Sequence, residues 1–209
     1  MDVWVSMMLD DNKGGYANSW LLADTDTNEI MRFEFGLKNH SIERTDDGYF
    51  VGFNSATDPK IRNFECGGDH GYYDVKSPCG ARRVRLTQLV EEYRGEIDTE
   101  IAETILADHY DVYLQEDNPC SRTIDGHYEL DPFEYRSTIA YLPHGALDGK
   151  VTDTTLAADM SFIARWGNSS GLPFDASEYL EEHPQFDNLE GLLEDRPEEP
   201  WTLLKSGQE

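Results

Sequence analysis

Lysine is nearly missing from this chain. Lys13, Lys38, Lys60, Lys76, Lys150 and Lys205 are all of it, and 17 basic residues face 42 acidic ones for a formal charge of −25. A field of that sign repels phosphate backbones and anionic lipid, which argues against nucleic acid and membrane surfaces as partners. Cysteine is thin as well. Cys66, Cys79 and Cys120 are an odd count without a close-spaced pair, which argues against a disulfide scaffold and fits a reducing, cytoplasmic compartment. No run approaches the roughly 20 apolar residues of a membrane span, and no secretory signal opens the sequence. Two catalytic signatures are absent: there is no Gly-x-Ser-x-Gly elbow and no phosphate-cradling loop, since Gly14-Gly15 and Gly67-Gly68 read as turns.

What remains suits one folded domain over residues 1–209. Hydrophobic residues make up 38%, gathered in periodic runs, and 11 Tyr, 9 Phe and 4 Trp supply large areas for burial. A carboxylate-rich, lysine-poor surface fits a halophilic protein, because concentrated salt screens self-repulsion within a few Å.

Periodicity predicts an α+β fold. Residues 2–10 read as a helix with Val3, Met7 and Met8 near one face and Asp2 at its cap. Strands follow at 18–25 and 29–37, the second alternating Ile30, Arg32, Glu34 against Met31, Phe33, Phe35. A second hairpin is expected from 40–45 and 49–53 about Asp47-Gly48. Residues 54–80 read as irregular. Helices are expected at 81–94 and after Asp98. Strands are plausible at 121–125 and 136–142, 150–166 is ambiguous, and 172–209 is a docked irregular tail with one short helix near 176–182, held by Trp201 and Leu203.

Candidate chemistry is sparse. Cys66, Asp69, His70 and Cys79 share one loop, and Cys120 and His127 come later. Cys66-x3-His70 has ligand spacing, but no second clean pair follows, so no metal or other cofactor is assigned. Tyr72, Tyr73 and Trp166 read as core or docking residues ahead of a ligand surface. One segment stands out. In GGYANSW (14–20) two glycines let the backbone pass close to something, and Asn18 stands at the mouth of a strand otherwise filled by Trp20, Leu21 and Leu22. Such an amide can donate to a developing oxyanion or satisfy a turn.

Several segments, in order, resemble the phospholipase B-like family of N-terminal-nucleophile hydrolases and its acyltransferase-like relatives. GGYANSW looks like the family's Gly-Thr-Tyr-Asn-Asn-Gln-Trp segment. GYFVGFNSATDPKIRN (48–63) resembles its Tyr-Trp-x-Ser-Tyr-Asn-Ile-Pro segment, and ARRVR (81–85) an arginine-rich helix start. NPCSRTI (118–124) is similar to Asn-Pro-Cys-x-Thr-Ile. HGALDGKVTD (144–153) and SFIARWGNSSGLPF (161–174) resemble two later segments. The resemblance implies an αββα sandwich, incomplete at its N-terminal strands, and hydrolysis of a small acyl amide or ester. It implies Asn18 as oxyanion donor, with Asn54 orienting substrate and Arg122 holding an acyl-group or structural carboxylate. The family's N-terminal Cys nucleophile lies upstream of the GGYANSW segment, and no residue here matches it. The expectation is therefore a fragment, a chain that joins a separately encoded N-terminal segment or self-associates, or a non-catalytic binding or scaffold protein of the same fold.

Overall fold

A computed structural model describes residues 1–69, 71–132 and 139–207. It is a mixture of helices and antiparallel sheet whose contacts divide into two compact units, Met1–Val90 and Glu91–Glu209. No helix among the described residues is long and apolar enough to cross a membrane.

The first unit is built on a meander, β1 (Asn18–Asp24), β2 (Glu29–Phe35) and β3 (His40–Thr45), in the order β1-β2-β3. Alternation along β2 sorts its residues as its sequence predicts. Met31, Phe33 and Phe35 form a buried core with Val5 of α1 (Asp2–Leu9), against which Trp4, Met8, Trp20 and Leu22 pack. Aromatic edges tighten it: Trp4 meets Trp20 and Phe33 edge-on at 5.4 and 5.9 Å between centroids. The inward face of α1 differs from the expected one, since Val3 and Met7 are 76% and 70% exposed. Asp2 lies in the first turn rather than at the cap, where it pairs with Arg44 on β3.

The second hairpin does not form. Residues 49–53 are not a strand, and among the described residues β3 pairs only with β2. Aromatic burial decides this: Phe53 is buried, and the Arg32 guanidinium lies 5.1 Å from the Phe50 ring centroid. The segment is drawn across the outer side of β2 instead of extending the sheet. It leads to α2 (Pro59–Phe64), a helix within the stretch read as irregular, and then to α3 (Pro78–Glu92). Asp58 caps α2 by accepting from the Lys60 and Ile61 amides, and Pro59 opens it, a combination that starts a helix too short to show periodicity.

The second unit takes in the last residues of α3 and continues with α4 (Thr99–Leu106), capped by Asp98 as expected. A two-stranded ladder, β4 (Tyr110–Asp111) with β5 (Glu116–Asp117), follows. The antiparallel sheet β6-β7-β8 comprises β6 (Asp148–Val151), β7 (Ser161–Trp166) and β8 (Thr202–Lys205), with α5 (Thr154–Ala158) between the first two. The ambiguous stretch 150–166 thus holds both strand and helix. After α6 (Ala176–Glu182) the tail ends as β8, so it is part of a sheet rather than only a docked irregular segment. Trp201 lies across Gly149, where an added Cβ would come within 2.5 Å of the indole. The strand expected at 121–125 is a chain of turns, because its polar side chains bond locally instead of leaving the backbone to a ladder. Of the strand expected at 136–142, residues 136–138 lie outside the described residues, and 139–142 are not a strand.

Candidate functional site

A concavity of the first unit with chemically varied walls is at the end of the meander where β1 starts and β2 stops. It has a volume of about 450 Å³, and its lining includes Asn18, Ser19, Glu34, Phe53, Asn54 and Cys66. Two residues singled out from sequence, Asn18 and Asn54, therefore meet at one cavity although 36 positions separate them.

A buried carboxylate fixes this geometry. Glu34 is on the outer face of β2 and only 1% exposed. It accepts from the Ser19 hydroxyl, from the Thr57 amide at 2.8 Å and from the Asp58 amide at 2.5 Å. A buried charge is tolerable only when satisfied in this manner. The opposite wall, residues 54–58, is held from outside as well. Arg62, also buried, donates to the carbonyls of Ala56 and Thr57 at 2.9 and 2.8 Å and stacks 3.9 Å from the Tyr72 ring centroid. The Cys79 thiol donates to the Asn54 carbonyl at 3.3 Å. Asn54 itself adopts a left-handed backbone with φ of 63°, which Asn accepts more readily than most residues.

Below the cavity a second carboxylate closes the β2–β3 turn. Glu65 accepts from the amides of Leu37, Lys38 and Asn39 and from the Asn39 side chain. Burial raises its pKa, but the Asn39 side chain and these amides outweigh that and hold the carboxyl below its ordinary value. Glycine is required at 36, where an added Cβ would meet the Glu65 carboxylate at 2.2 Å. Gly14 has a φ of 67°, and its Cβ would strike Leu37 at 2.7 Å, so the close passage expected of the GGYANSW segment is made there; Gly15 has nothing within 4 Å.

The described lining of the cavity carries three hydroxyl or thiol groups, on Ser19, Ser55 and Cys66. Ser19 is committed to Glu34. Burial first, then the carboxylates of Glu65 and Glu34, push the Cys66 thiol above its ordinary pKa, against a smaller opposing pull from Arg62. A thiol so placed is mostly protonated at neutral pH and is not activated as a nucleophile.

No family model and no curated protein matches this chain.

Arg122 belongs to the second unit and holds a structural carboxylate there. Its Nε and Nη2 reach Asp111 Oδ2 at 3.0 and 2.7 Å, and Asp131 lies at 3.8 Å. Burial raises the Asp111 pKa, and the Arg122 hydrogen bond with help from the Tyr113 amide overcomes it, leaving the carboxyl below its ordinary value. Cys120 is buried beside this pair, and desolvation pushes its thiol up to about 11. A structural role follows for Cys120.

Sequence reasoning missed a cluster nearby in the same unit. His109 precedes β4, and Asp125 and His127 sit on the turn-rich segment after Cys120. The Nε2 atoms of both histidines face Asp125 Oδ2, at 3.3 Å from His109 and 3.2 Å from His127. The Ser169 and Ser170 amides donate to the two Asp125 oxygens at 3.2 and 2.9 Å. His127 Nδ1 contacts Glu129 at 2.7 Å. Burial alone would depress the His127 pKa, but the hydrogen bonds to Asp125 and Glu129 prevail and raise it to about 9. Only the Asp125-Gly-His127 triplet is local; His109 is brought in by the loop, which is why spacing did not reveal the group. Of the loop ligands considered from sequence, His70 lies outside the described residues, and Cys66, Asp69 and Cys79 are not in a metal-ligating group found among the described ones.

Proposed function

We propose that the cavity between Asn18 and Asn54 binds a small acyl amide or ester, in a phospholipase B-like, N-terminal-nucleophile-hydrolase-like domain, with Asn18 placed as oxyanion donor. One observation carries the reading: two asparagines, picked out separately in the sequence, are among the residues lining one cavity whose walls are fixed by buried charges. Preorganised donors of this kind stabilise developing negative charge because they need no reorientation during reaction. Asn54 orients the substrate. Arg122 is engaged with Asp111 and serves the fold.

Hydrolysis in this reading requires a nucleophile brought by a separate segment or chain. The raised pKa of Cys66 favours a second reading, in which the same cavity binds an acyl ligand without turning it over. The test is reconstitution with a Cys-bearing N-terminal segment of the related hydrolases, followed by hydrolysis of an N-acyl amino acid. Turnover that falls about 10²–10³-fold in Asn18→Ala supports catalysis. Binding of the N-acyl amino acid that weakens in Asn18→Ala, with no turnover, supports the second reading. Failure of the N-acyl amino acid to bind the wild-type chain removes both.

A further inference from the structure

We propose that His109, Asp125 and His127 form a binding site for one divalent transition-metal ion of the zinc class. The ligand atoms are His109 Nε2, His127 Nε2 and Asp125 Oδ2, all within 4.8 Å of one another. Two imidazoles and a carboxylate are a donor set suited to zinc, and three protein ligands leave a fourth position for water.

Distances carry the argument. Zinc–nitrogen and zinc–oxygen bonds of about 2.0–2.1 Å at tetrahedral angles put neighbouring ligand atoms about 3.3–3.4 Å apart. The two His–Asp125 separations are 3.3 and 3.2 Å. A charge-assisted hydrogen bond between the same groups runs about 2.7–2.9 Å, and the other nitrogen of His127 makes one of that length, 2.7 Å, to Glu129. The same ring is thus tight against one carboxylate and set back from the other.

Lone-pair capacity points the same way. Asp125 Oδ2 has the Ser170 amide at 2.9 Å as well as both imidazoles. An sp² oxygen has two lone-pair directions for these three claims. One metal bond in place of two imidazole N–H donors leaves one direction for Ser170 and one for the ion.

The surroundings complete a metal-type arrangement. Glu129 on Nδ1 sets the His127 tautomer that turns the Nε2 lone pair towards the ion, as outer carboxylates do for zinc-bound histidines. The Ser169 and Ser170 amides hold the Asp125 carboxylate in orientation. The His109 side chain is 14% exposed, which gives the ion access from solvent, and His127 and Glu129 also line a cavity of about 140 Å³.

The decisive experiment is calorimetric titration of zinc chloride into the chelator-stripped chain, in concentrated KCl with excess Mg²⁺. Those additions occupy the abundant surface carboxylates with hard ions and leave a nitrogen-containing site to zinc. One zinc per chain is expected, with at least tenfold weaker binding in His109→Gln and unchanged binding in Cys66→Ser. Cobalt(II) bound to the wild-type chain should show the intense visible bands of a four-coordinate site, a readout that needs no variant to fold. Absence of stoichiometric binding, binding insensitive to His109→Gln but lost in Cys66→Ser, or the weak spectrum of six-coordinate cobalt would each overturn the assignment.

Discussion

Replacing Glu34 by Gln removes one charge and leaves the shape of the side chain. Glu34 has three donors in the native fold: the Ser19 hydroxyl and the amides of Thr57 and Asp58. Hydrogen bonds to charged groups contribute about 1.5–3 kcal/mol each, and an orphaned buried donor costs about 1–3 kcal/mol. Glutamine has one carbonyl oxygen. If it serves Thr57, the NH₂ faces the Asp58 amide; flipped, it faces Thr57. Either orientation leaves one backbone donor opposed by another, while the surviving bonds lose their charge assistance. The expected loss is about 2–4 kcal/mol. Glu34→Ala, which leaves all three donors without that acceptor, should lose more. Hydrogen exchange locates the effect: with tenfold per 1.4 kcal/mol, the Thr57 and Asp58 amides should exchange roughly 30- to 700-fold faster. Urea unfolding gives the parallel stability change. A Gln variant within 0.5 kcal/mol of wild type, with exchange at 57 and 58 unaltered, refutes the assignment of Glu34 as the strut of the cavity wall.

Arg122→Ala strands the buried Asp111 carboxylate and should cost about 3–5 kcal/mol by denaturant unfolding, whereas a cost under 1 kcal/mol shows the pair to be dispensable. The lowered pKa values of Glu65 and Asp111 fix the sign of acid sensitivity. Their contributions are present above the ordinary carboxylate pKa and vanish as the pH falls through the depressed folded values. Stability should therefore drop below about pH 4, and Glu65→Gln should flatten the acid limb; an acid limb identical to wild type contradicts the Glu65 role. Burial and the raised Cys120 pKa predict that iodoacetamide at neutral pH labels exposed Cys66 well before Cys120, as mass spectrometry of the native chain would show. Equal labelling rates would place Cys120 at the surface. The −25 charge predicts a melting temperature that rises with KCl, and a melting temperature independent of salt contradicts the halophilic reading.

The parts legible in the sequence are those whose signal is local. Alternation placed Met31, Phe33 and Phe35 on one face because a β2 inserted between two neighbours must bury one side. Asp98 announced α4 because a cap acts only on its own first turn. Asn18 and Asn54 were picked separately, and their meeting at one cavity needed the tertiary fold. Illegible parts depend on distant partners. The segment 49–53 has the look of a strand, but Phe50 finds Arg32 and Phe53 a buried place, so packing overrides pairing. β8 escaped notice because all four of its residues are exposed and show no alternation of burial. His109 and Asp125, 16 residues apart, share a carboxylate contact that no spacing rule anticipates.

The Asn18 side-chain amide is the atom group on which the acyl-site reading turns. Its nitrogen resonance can be followed in the ¹⁵N-labelled chain while an alkyl phosphonate monoester, a tetrahedral anion resembling the hydrolytic intermediate, is added in concentrated KCl. Saturable movement of the Asn18 and Asn54 side-chain signals, absent for the phosphonate in Asn18→Ala, is the predicted result. Saturable binding that shifts neither signal, or no binding at all, contradicts the placement of an oxyanion donor in this cavity.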